Sequence, residues 1–114
     1  MSLGKRLAAM RQRNRAIIEV KEWSEDDSPF MIYSGELTCG DVEKIQRKHK
    51  DFINNPTIAA MVDMIILKAE DKDGNKLFTL EDKHFLMGER LDVISALAGE
   101  MFNQTSTVEE AEKN

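Results

Sequence analysis

The residues with the types and spacing to hold a cation lie in Asp71-Lys-Asp-Gly-Asn75. A helix–loop–helix calcium site needs acidic or amide ligands at its first, third and fifth positions, glycine at the sixth and a bidentate glutamate at the twelfth. With Gly74 sixth, Asp71 and Asp73 fall third and fifth, but Ala69 stands first and Leu80 twelfth. With Asp71 first, Lys76 takes the glycine position and Asp82 the twelfth. Neither frame completes the ligand set, so the stretch reads as a reverse turn built from Asp, Gly and Asn. It sends Leu77 and Phe78 back toward the core.

The remaining reactive groups are few. His49 and His84 sit on or beside apolar faces with no metal-ligand spacing to Cys39, so no metal site is expected. Cys39 falls just inside a predicted helix start, where a thiolate gains stabilisation, but no histidine base is near it in sequence. The glycines Gly35, Gly40, Gly74, Gly88 and Gly99 stand singly, which leaves no phosphate loop. The carboxylate pairs Asp26-Asp27 and Glu70-Asp71 lie in turns with no apolar pocket around them. The sequence therefore gives no catalytic residue and no cofactor site, and it points away from an enzyme.

Charge is distributed unevenly along the 114 residues, whose net charge is −5. Lys5, Arg6, Arg11, Arg13, Arg15 and Lys21 crowd the start against Glu19, whereas Glu109, Glu110 and Glu112 dominate the end. A small nucleic-acid-binding regulator using the basic segment is the alternative this gradient raises. No aromatic residue interleaves with those cations as a base-stacking surface requires, so a solvated helix face is preferred. The longest apolar window, residues 58–67, is broken by Asp63 and too short for a bilayer, and no signal peptide is apparent. A cytoplasmic chain with no membrane contact is the expectation, and a single cysteine agrees with it.

Stepping along the chain, Leu3, Leu7 and Met10 recur at helical spacing within a basic segment, 1–15. Residues 16–23 and 30–37 are rich in β-branched and aromatic types and read as a hairpin joined by SEDDSP. Thr38 with Asp41 forms a capping signal, and Val42, Ile45, His49, Phe52 and Ile53 then line a helix ending near Asn54. Asn55-Pro56 opens the next helix, with Ile58, Met61, Val62, Ile65, Ile66 and Ala69 on its core face. After the turn, Thr79 to Asp82 caps a helix carrying Phe85 and Leu86. Gly88 breaks it, and Leu91, Ile94, Leu97, Ala98, Met101 and Phe102 form the last amphipathic face. The expected fold is α+β and mostly α, a hairpin followed by about four helices. One globular domain spans 16–102, and an acidic tail, 103–114, is expected to be disordered.

Seven methionines are present, and Met61, Met64, Met87 and Met101 suit either core filling or an adaptable partner surface. Met64 and Leu67 lie off the expected core face, which leaves room for a second, partner-binding face. The candidate partner residues are Met61, Met64, Leu67, Leu91, Ile94, Leu97 and Met101.

The order of these features resembles the tail assembly chaperones of long, flexible-tailed bacteriophages. The likeness is carried by Glu22-Trp23, the second strand through Phe30 to Leu37, the helix pair, Asp71-Lys-Asp-Gly-Asn-Lys-Leu-Phe78, and a final helix opening Leu91-Asp-Val-Ile94. It runs from about Ile17 to Phe102; the basic start is not part of it. The resemblance implies a non-enzymatic helper in the cytoplasm of a bacterial host. Such a helper binds the tape-measure protein and promotes tail-tube assembly, self-associates, and is absent from the mature virion. Many proteins of that family are made in two lengths, the longer one through a ribosomal frameshift.

Overall fold

The computed structural model describes residues 2–113 apart from Asn14, with side chains described for 2–10 and 15–102. The helix α1 (Leu3–Arg13) is followed by β1 (Ala16–Glu19) and, after a 3-10 turn at Lys21–Trp23, by β2 (Met31–Ser34). Then come α2 (Cys39–Gln46), α3 (Ile58–Lys68) and β3 (Ala69–Glu70). A 3-10 turn at Leu80–Asp82 leads into α4 (Lys83–Met87), and α5 (Leu91–Lys113) closes the chain. The class is α+β and mostly helical, with the hairpin near the start, as the periodicity predicts. The expected basic segment, 1–15, contains α1, and α5 runs as helical backbone through residues 103–113 of the expected acidic tail, whose side chains lie outside the described residues.

The hairpin is shorter than expected because the chain leaves extended geometry after Val20. Trp23 N–H donates to the Val20 carbonyl at 3.1 Å, closing a 3-10 turn where the alternation predicts strand. β1 and β2 pair antiparallel with Ile18 opposite Ile32, two buried residues on the face that meets α5. The sheet has a third strand that the periodicity hid. Ala69, expected on a helix face, lies opposite Ser34, and Glu70 opposite Tyr33. Two residues are too few to show alternation.

The α2 region also departs from expectation. The capping box forms: Thr38 Oγ1 accepts from Asp41 N–H at 3.1 Å, and Asp41 Oδ2 accepts from Thr38 N–H at 3.0 Å. The helix nevertheless stops at Gln46, and residues 47–54 continue as turns. These turns still deliver Phe52 into the core, where its ring lies 5.3 Å from that of Phe102. For α3 the cap is Thr57, not Asn55: its side chain accepts from Ala60 N–H at 3.2 Å.

α3 is the centre of the fold, packed against α2, α4 and α5. Burial on several sides explains why its mean hydropathy is the highest of the helices and why no single face is polar. Ala60, Val62, Met64, Ile65 and Ile66 are all buried, while Ile58 is exposed. α5 completes the core with Val93, Ile94, Leu97, Ala98 and Met101, a stripe at helical spacing. No helix among the described residues is long and apolar enough to cross a membrane.

Candidate functional site: a lysine-rimmed apolar groove

Beside the central helix the packing leaves an open groove of about 370 Å³. Its floor is made by Ile45 from α2, Ile66 and Leu67 from α3, and Phe78 and Leu80 from the segment that follows the turn. Lys44, Lys48 and Lys76 line it as well, with Asp63 and Thr79. The local causes are visible in sequence. Asp71 Oδ1 accepts the N–H groups of Asp73 at 2.8 Å and Asn75 at 3.0 Å, and Gly74 adopts φ 89°, where other residues are strained. The Asn75 backbone N–H, the largest influence, helps hold the Asp71 carboxyl below its ordinary value. The turn thus uses its acid internally, and among the described residues no cluster of acidic, histidine or cysteine side chains is arranged to hold a metal ion.

From this turn the chain runs back along α3. Leu77 N–H donates to Ala69 O at 3.1 Å, and Lys76 Nζ donates to the Leu67 carbonyl at the end of α3. Phe78 is half-buried, its ring 6.0 Å from Trp23, which also meets Phe30 edge to face at 5.7 Å. Trp23 Nε1 donates to Glu89 Oε2 at 2.8 Å, so the sole tryptophan ties the hairpin to the loop before α5. Arg90 N–H and then Trp23 lower the Glu89 pKa.

Two ion-pair sets fix the helices that frame the groove. Asp63 forms an ion pair with Lys83 at 3.0 Å through Oδ1, and its Oδ2 sits 2.7 Å from His49 Nε2. Burial pushes the Asp63 pKa up, but the hydrogen bonds from His49 and Lys83 outweigh it and hold the carboxyl below its ordinary value. Asp41 pairs with Lys68 at 2.8 Å, joining the start of α2 to the end of α3. There too burial opposes ionisation, and the Lys68 and Thr38 hydrogen bonds override it.

The expected partner residues do not come together as one surface. Met64, Ile94, Leu97 and Met101 are buried core residues. The reason is that α3 is enclosed by three helices, so the positions read as its second face meet neighbours instead. Met61 is half-buried, Leu91 is 59% exposed at the start of α5, and only Leu67 lines the groove. Lys44, Lys48, Phe78 and Leu80 were missed as site residues. Leu80, an apolar side chain in a polar helix-capping turn and 67% exposed, was the available signal.

The basic segment is also divided. Arg15 donates to the carbonyls of Asp71 at 3.2 Å and Lys72 at 2.8 Å, lies 3.6 Å from Glu70 and stacks 5.2 Å over the Tyr33 ring. It is a strut between hairpin and turn. Lys5 and Arg6 are exposed on α1, and the side chains of Arg11 and Arg13 lie outside the described residues. Compared with protein-family models, curated proteins and solved structures, the chain matches none.

Proposed function

We propose that this protein is a non-enzymatic chaperone for an amphipathic helical client, of the kind that serves bacteriophage tail assembly. Its client in that setting is the tape-measure protein, and its product is a tail tube polymerised around it. The observation that carries the reading is the groove. Leu67, Phe78 and Leu80 present apolar surface beside a helix pair, the arrangement that accepts one face of a partner helix. Weak contacts repeated along a long client, each using one such groove, need no catalytic geometry. The sequence features from Glu22-Trp23 to the Leu91 helix supply the phage-tail assignment. Cytoplasmic action and self-association belong to the same proposal.

Flanking DNA and co-expression test it. The expected neighbourhood holds an overlapping downstream frame and a long gene for a heptad-bearing helical protein, which stays soluble only when this chain is co-expressed. A neighbourhood without such a gene, or a client equally insoluble with and without the chain, overturns the reading.

A further inference from the structure

We infer that the groove between α2, α3 and the 76–80 segment selects a helix whose apolar stripe is flanked by carboxylates and which belongs to a different polypeptide. The inference rests on the reading that the protein binds a helical client, and adds the client's charge and the residues that read it.

The argument begins with charge. Lys44 lies in the last turn of α2 and Lys48 in the turn just beyond its end, and both line the groove. Among the described residues neither has a carboxylate partner, although ion pairs tie down Lys68 and Lys83 close by. Lys76 adds a third cation at the lip, anchored by its hydrogen bond to the Leu67 carbonyl. The single carboxylate in the lining, Asp63, has one oxygen at His49 and the other at Lys83. The groove therefore offers an apolar floor under an uncompensated positive edge. Carboxylates spaced one helical turn apart complement Lys44 and Lys48, while a basic partner meets like charge.

Charge and composition together exclude this chain's own segments. The α1 stripe of Leu3, Leu7 and Met10 is flanked by Lys5, Arg6, Arg11 and Arg13, the wrong sign for this rim. Residues 103–114 have the right sign, but Val108 and Ala111 are their only apolar side chains. α5 carries Asp92 and Glu100 beside its stripe, but Ile94, Leu97 and Met101 of that stripe are buried in its own core, so among the described residues a second copy presents no free stripe that is also acidic. The occupant comes from another protein.

Three synthetic amphipathic helices of about 18 residues test this: a leucine stripe flanked by glutamates, the same stripe flanked by lysines, and the glutamate version with its leucines replaced by glutamine. Binding to the full chain is read by anisotropy of a labelled peptide and by emission of Trp23, which Phe78 connects to the groove. The glutamate-flanked helix is expected to bind about ten-fold more tightly than the lysine-flanked one at low salt, a gap that narrows as salt rises. The glutamine version should not bind. K44E/K48E, both on exposed positions and checked for folding by circular dichroism, should reverse the preference, and Leu80→Ser should weaken both stripes.

Equal affinity for the two charged helices, or an order unchanged in K44E/K48E, overturns the inference. So does displacement of the acidic helix by a single-stranded oligonucleotide, or self-association that K44E/K48E abolishes. If K44E/K48E keeps the co-expressed client soluble as well as the unaltered chain does, the groove assignment fails while the chaperone reading stands. Charge discrimination among peptides with no effect on any client would do the reverse.

Discussion

Asp71, Asp73 and Phe78 lie within one turn and its exit but carry different weight. Both acids are on the surface, yet only Asp71 organises the backbone, accepting from Asp73 and Asn75. Asp73→Ala should change stability by no more than about 0.5 kcal/mol, as surface changes do. Asp71→Ala should lower it more, because two backbone N–H groups lose their acceptor. Phe78→Ala should cost about 2–3 kcal/mol, somewhat below a fully enclosed phenylalanine, since the ring is half-buried against Trp23. Urea unfolding of the three variants checks the order, and a loss at Phe78 as small as that at Asp73 would contradict the packing described. The sequence made this contrast readable, because the calcium frame failed at Ala69 and Leu80 while the turn chemistry did not.

At the scale of elements, the helices and the presence of a hairpin are legible wherever one periodicity runs for several residues, as in the 91–102 stripe of α5. Boundaries were lost where two local signals competed. Asn55-Pro56 looked like a helix start, yet Thr57 supplies the capping oxygen one turn before Ala60. Thr57→Ala should therefore cost about 1 kcal/mol and Asn55→Ala much less, measured by thermal melts of both. The core face of α3 was misread because its sequence is apolar nearly all round, so only neighbours decide which positions are enclosed. Met64→Ala should cost about 2–5 kcal/mol for that reason, and Leu91→Ala, on an exposed side chain, within about 0.5 kcal/mol. The groove stayed hidden from sequence because its floor joins α2 and α3 to a segment read only as a connector. No local period links Ile45 to Leu80.

For the molecule as a whole, ionised Asp41 and Asp63 hold the helix assembly together. Their folded-state pKa values are lowered from 3.8, so their contribution is present above that value and is lost as pH falls through the lower folded values. Acid titration should show unfolding below about pH 4, and Asp63→Asn should be less stable at neutral pH but lose less on acidification. Retention of the full acid slope in Asp63→Asn, followed by circular dichroism, would assign that slope elsewhere. The strut made by Arg15 has a further consequence, for protease susceptibility. Trypsin must seat a free guanidinium in its specificity pocket, and that of Arg15 is already held by two carbonyls and a tyrosine ring. Brief digestion should trim the exposed sites at Lys5 and Arg6, pause at Arg15 and leave a resistant body, so the first stable fragment should begin no later than residue 16 with Arg15 still attached in part of the population.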